Sequence, residues 1–148
     1  RHDLYGMPAS PAKPYRIAID AGTVLLEIPV ATIPLLGTRL MVGGGGYFRQ
    51  FPYAFTRWAL PSIEAAGDGP FVFYLHPWEF DPDQPRAPGL PWLSRVRHYT
   101  NLSKTDSRFR ALLSDFRFGP VREMLTTIGS RCSQMGIEQL GIDFAHAS

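Results

Sequence analysis

Phe71-Val-Phe-Tyr-Leu-His76-Pro-Trp-Glu79-Phe80 is an apolar run that ends in a histidine and is cut off by proline. Residues 71–75 are mostly aromatic or branched and follow Gly67-Asp68-Gly69-Pro70, so they predict a buried strand entered from a turn. Alternation along a strand puts Phe71, Phe73 and Leu75 on one face and Val72, Tyr74 and His76 on the other. Pro77 has no N–H for a sheet ladder, so pairing should stop there and leave the imidazole at the rim. Chemistry in α/β folds gathers at the carboxyl ends of strands. A histidine at that rim is a candidate for giving or taking a proton. The competing reading is a histidine that only hydrogen-bonds a loop.

Upstream, residues 23–31 are rich in Val, Leu and Ile and predict a strand, with a shorter one at residues 15–20. Both faces of the 23–31 strand are apolar except at Glu27, which suggests burial in a sheet covered on two sides. A carboxylate in such a strand needs a partner. Glu27 could orient a catalytic histidine or arginine, or form a structural ion pair with Arg49 or Arg57. The four glycines at 43–46 read as a flexible turn and tight connection. Their lack of a Lys-Ser/Thr ending or a G-x-G-x-x-G pattern argues against a phosphate cradle. Pro52 opens a helix with Phe55, Trp58, Ala59 and Ile63 on its inward stripe, and Pro61 is expected to kink or end it. Strand, helix and strand in this order make a parallel α/β unit.

Downstream, residues 81–91 form a proline-rich loop. Ser103 and Asp106 have capping-box spacing ahead of a helix bearing Phe109, Leu112, Leu113 and Phe116. Gly119-Pro120 leads into a further helix with Val121, Met124, Leu125 and Ile128 on one face. The division expected is residues 1–80 as an α/β part, 81–132 as a loop-and-helix extension and 133–148 as a partly disordered tail. Within the first part, residues 1–13 read as an ordered connector.

With 148 residues and a 45% hydrophobic fraction, the chain can bury a core. A net charge of +2 gives no electrostatic reason to expect nucleic-acid binding. The single cysteine, Cys132, allows no internal disulfide. It suits a reducing compartment, so a cytoplasmic location is expected, with the periplasm as the alternative. No apolar run is long enough for a membrane span. Arg1 opens the chain without a methionine, which is read as an excised or processed segment. The four histidines, His2, His76, His98 and His146, do not stand at metal-ligand spacing, so no complete zinc site is expected here. Trp78, Trp92, Tyr47, Tyr53 and Tyr74 could stack on sugar faces or simply fill a core. Trp78 is the best sugar-contact candidate because it stands beside His76.

Four segments, Arg1-His-Asp-Leu-Tyr-Gly6, Gly44-Gly-Gly-Tyr-Phe-Arg49, Tyr74-Leu-His-Pro-Trp-Glu79 and Asp115-Phe-Arg-Phe-Gly-Pro120, resemble the C-terminal region of NodB-like polysaccharide deacetylases. The likeness is greatest to members associated with bacterial exopolysaccharide and exosortase loci, and extends to about Leu125. It implies the C-terminal part of a distorted (β/α) barrel carrying an added helical module. It also implies an acetylated polysaccharide as substrate, a divalent metal of the zinc kind, and exopolysaccharide assembly proteins as partners. The family's last motif ends a strand in Leu-His, so the resemblance gives Leu75-His76 the general-acid role. Pro77 stands where many members carry an acidic residue. The motifs with the catalytic aspartates and the metal-binding histidines would lie upstream of Arg1. Glu27 is the conjectural stand-in for the fourth motif's carboxylate. Trp78, Tyr47, Arg49 and Glu79 are the expected substrate contacts. The alternative is a noncatalytic module that binds glycan or protein through the aromatic cluster.

Overall fold

The structure, a computed structural model, describes residues 10–20, 22–66, 70–128 and 133–136. These residues form a three-stranded sheet, a separate two-stranded hairpin and five α-helices. The expected α/β class is therefore present as a mixed α/β arrangement, and among the described residues the strands do not close into a barrel. The readings made on residues 1–9, 67–69, 129–132 and 137–148 lie outside the described residues.

The three-stranded sheet has β1 (Tyr15–Ala18) at its centre, antiparallel to β2 (Val24–Glu27) and parallel to β5 (Ser133–Gly136). Asp20 closes the β1–β2 turn by accepting the N–H groups of Gly22 and Thr23, both at 2.9 Å. These bonds lower its carboxyl pKa below the ordinary range. The expected 23–31 strand is shorter and more exposed than its composition suggests. Val24 and Leu25 are each about half exposed, at 52% and 51%, because β2 is an edge strand of the sheet. Pro29 then breaks the run, lacking the N–H that a ladder needs. Part of the expected tail, residues 133–136, is strand rather than disordered chain.

The second hairpin, β3 (Thr32–Leu35) and β4 (Thr38–Met41), had no counterpart in the sequence reading. Its two-residue loop has Leu36 and Gly37 at φ of 49° and 76°. Positive φ at both central residues is the type I′ geometry that matches strand twist. Asn-Gly is its usual signal, and Leu-Gly hides it. Leu36 is 96% exposed, so nothing in the core demands that side chain.

Residues 71–75 were expected to be a buried strand. They run extended but pair only through single parallel bridges, Val30 to Val72 and Gly44 to Tyr74. All five are half-buried. The expected parallel relation is thus present, reduced to isolated bridges. Glycine at 43 lets it form, since a Cβ there would stand 2.7 Å from the Val72 carbonyl oxygen.

The core gathers Ala31, Ile33, Val42 and Phe48 with Ala59, Leu60 and Ile63 of α2 (Tyr53–Ala65) and Leu112 of α4 (Thr105–Asp115). In α2 the buried positions are Thr56, Ala59, Leu60 and Ile63, so the inward stripe is rotated from the expected one and leaves Trp58 58% exposed. The helix runs through Pro61 to Ala65. The expected capping box is absent: Ser103 lies in a 3₁₀ turn, and α4 starts at Thr105 with no side-chain cap. Between Tyr99 and that turn, Asn101 takes a positive φ of 56° and donates from its amide to the Arg49 carbonyl at 2.7 Å. The last described helix, α5 (Val121–Ile128), matches the expected segment and buries Ile128.

Helices α2 and α4 are tied by Tyr53, whose hydroxyl donates to Asp115 at 2.8 Å while Arg57 reaches the same oxygen at 3.3 Å. Burial, then the hydrogen bond to Asp115, push the Tyr53 phenol from 10.0 up to about 12. Between about pH 10 and 12 the folded chain keeps a proton that the unfolded chain has lost, so stability falls as pH rises through that window and is intact below it. Tyr53→Phe should destabilise the protein by about 1 kcal/mol near neutrality, the usual worth of one hydrogen bond. It should also flatten the alkaline leg of a urea-midpoint against pH profile. An unchanged alkaline leg would separate that leg from Tyr53.

Candidate functional site

The four-glycine run, expected to be a flexible turn and tight connection, leads into a helix. Gly44 is the N-cap of α1 (Gly45–Gln50), and Gly45 and Gly46 form its first turn. A Cβ on Gly45 would overlap both carboxylate oxygens of Glu79. One on Gly44 would press on the Tyr74 ring at 3.0 to 3.2 Å. The glycines thus let helix α1 come down directly onto the 74–79 segment.

Pro77–Phe80 forms a single 3₁₀ turn. Proline is well placed at its start, where a missing N–H breaks no helical bond. Glu79 points back from this turn, and its Oε2 accepts the His76 backbone N–H at 2.8 Å. Its Oε1 accepts the Arg49 Nε–H at 3.0 Å. Both side chains are 1% exposed, so this is a fully buried ion pair. The other Arg49 nitrogens donate to the carbonyls of Arg97, His98 and Thr100, at 3.2, 3.0 and 2.8 Å. These carbonyls close the carboxyl end of α3 (Trp92–Tyr99), where a cation opposes the helix dipole. Arg108 does the same for α1 from a neighbouring helix, with Nη1 donating to the carbonyls of Phe48, Arg49 and Phe51. Burial lowers its pKa.

His76 is exposed at the mouth of this frame. Tyr74 meets its ring edge-on at 5.5 Å, and Trp78 lies nearly parallel to it at 5.8 Å and 12°. Trp78 is itself parallel to His98 at 4.2 Å and 12°, with the Arg49 guanidinium carbon 5.2 Å from its ring centre. Beyond His98, Tyr99 meets it edge-on at 4.6 Å, and Arg86 sits over Tyr99 at 5.1 Å. The result is a row of aromatic and imidazole rings running from His76 to an exposed arginine.

Of the residues singled out from sequence, His76, Trp78, Arg49 and Glu79 come together. Arg49 and Glu79, expected to touch substrate, turn their charged ends inward and satisfy each other and α3, so their contribution is to hold the site. Trp78 is half-buried and already carries His98 close against its ring. Glu27 is exposed on the edge strand β2, and no contact among the described residues joins it to His76. Its proposed ion-pair partners are engaged elsewhere, Arg49 by Glu79 and Arg57 by Asp115. Tyr47 belongs to a different row, stacked on Phe51 at 6.1 Å and continued through Phe55 to Trp58. The sequence reading gave His98, Gln84 and Gly45 no role at this site, because His98 meets Trp78 and Gln84, and Gly45 meets Glu79, only across separations that local pattern does not span.

The opposite face of the 73–77 segment forms an apolar groove of about 450 Å³, lined by Phe73, Leu75, Phe80, Phe109, Leu112 and Phe118 among others. Among the described residues no polar side chain lines it, so the alternation expected around His76 separates an apolar face from the one that carries the imidazole. A catalytic metal needs about three protein ligands. Among the described residues no group of three or more His, Cys, Asp or Glu stands together, so these residues do not fit a metal centre. Among them no helix is long and apolar enough to cross a membrane. No curated protein and no solved structure matches the chain. Residues 1–126 match the family described as a domain of unknown function, DUF3473, and the chain belongs to that family.

Proposed function

We propose that this chain is the C-terminal, substrate-facing part of a metal-dependent polysaccharide deacetylase of the NodB-like kind, acting on acetylated glycans of exopolysaccharide biosynthesis in the bacterial cytoplasm. In this reading the barrel and the metal ligands are completed by upstream motifs, and no step passes through a metal held here. The observation that carries it is His76 itself, an exposed imidazole at the end of an extended Leu-His segment. Its backbone N–H is bonded to a buried carboxylate. A protonated His76 donates to the sugar nitrogen as the bond to the acetyl carbon breaks, so that the amine leaves neutral. Glu79 and Arg49 keep the backbone of that acid in place.

In the intact protein, His76→Ala should lower deacetylation turnover about a hundredfold or more, the usual worth of a positioned acid. Bound metal should be unchanged, as measured by elemental analysis. Near-normal turnover would refute the assignment. A second reading, a glycan-binding module without catalysis, draws on the Tyr47, Phe51, Phe55 and Trp58 row. The same substitution separates the two, because a binding module would not need His76 for turnover.

A further inference from the structure

The ring row beside His76 is fixed at His98 by one amide. Gln84 Nε2 donates to the carbonyls of Trp78 and Asp81, at 2.8 and 2.9 Å. Two acceptors facing that nitrogen settle which way the amide lies, so Gln84 Oε1 is the atom that meets His98 Nε2 at 3.0 Å. An amide oxygen only accepts, so His98 Nε2 carries the proton and the imidazole cannot turn without losing this bond. His98 is held from its backbone as well, since its carbonyl accepts Arg49 Nη1. Gln84 therefore ties the 77–81 turn to α3, and His98 lies flat against Trp78 at 4.2 Å. Trp78 in turn lies parallel to the His76 imidazole.

We propose that His98, locked by Gln84, is a positioning residue that sets the orientation of the His76 imidazole through Trp78. The proposal rests on the reading of His76 as proton donor for its kinetic consequence, but not for its structural one. An exposed imidazole has several rotamers, and only a ring aimed at the leaving nitrogen transfers its proton well. Parallel stacking on Trp78 selects among them, and Trp78 keeps its own place because His98 covers it.

The test uses the intact protein, with His98→Ala, His98→Phe and Gln84→Ala, and His76→Ala as reference. Ring-current shifts from Trp78 mark the His76 ring C–H signals in a histidine-labelled NMR spectrum. His98→Ala and Gln84→Ala should move those signals toward the values of free histidine, while His98→Phe, which keeps a flat ring against Trp78 but loses the bond to Gln84, should return them only in part. With an N-acetylated glucosamine oligomer as probe, kcat should fall about tenfold in His98→Ala with little change in KM, and recover only in part in His98→Phe. Gln84→Ala guards against a His98 variant that does not fold. Unmoved His76 signals in both alanine variants would overturn the proposal. If His76→Ala itself leaves turnover intact, the proton-donor reading falls, and the NMR shifts alone uphold or overturn the positioning.

Discussion

Glu79→Ala is expected to destabilise the folded protein by about 3–5 kcal/mol, the range for removing one side of a buried ion pair. Arg49 would be left 1% exposed with no carboxylate beside it, and the His76 N–H would lose its acceptor. Against a total stability of about 5–15 kcal/mol for a domain, the loss should be plain in a urea or thermal unfolding curve. The double variant Glu79→Leu with Arg49→Met sharpens the point. Replacing a buried pair by apolar residues is often neutral. Here it should remain destabilising, because the carbonyls of Arg97, His98 and Thr100 would lose the donor that Arg49 supplies. A double variant as stable as the parent would show that the pair contributes little beyond its own mutual satisfaction.

Gly45→Ala should be nearly as damaging, although it adds only one methyl group. Ala is normally the better helix former by about 0.5–1 kcal/mol. At this position the added Cβ would overlap the Glu79 carboxylate. That carboxylate cannot swing aside, since one oxygen holds Arg49 and the other the His76 N–H. The clash must then be relieved by breaking the ion pair or lifting α1, and a loss of about 3 kcal/mol, the upper range for overpacking, is expected. Gly46→Ala is the control. Nothing lies within 4 Å of a Cβ there, so the same change one residue later should be neutral or mildly stabilising. Equal melting temperatures for the two variants would contradict the close approach of α1 to the 74–79 segment.

Local pattern carried a good part of the architecture. The helices from Tyr53 and Val121 follow from apolar spacing and proline placement, and both stand where expected. The rim position of His76 follows from the end of an apolar run at Pro77. The failures are equally physical. Periodicity identifies an apolar strand but not its neighbours, so residues 23–31 looked buried on two faces when β2 is an edge. The β3–β4 turn was missed because Leu36 occupies a left-handed position that Asn or Gly normally marks. The stripe on α2 was misplaced because an aromatic such as Trp58 can lie exposed while Thr56 is buried.

The site shows the same division more sharply. Residue chemistry together with the family resemblance singled out His76, Trp78, Arg49 and Glu79, which prove to be neighbours, and also Tyr47 and Glu27, which lie elsewhere. Their division of labour depended on partners far along the chain: Arg49 meets Glu79 thirty residues away, and then the end of α3 about fifty residues away. A charged side chain in sequence looks the same whether it will face a ligand or a helix terminus. Burial distinguishes the two, and burial is a property of what packs on top. Chain-local forces therefore left His76 exposed at the end of an apolar run, while long-range packing buried Arg49 and Glu79 as a frame beneath it.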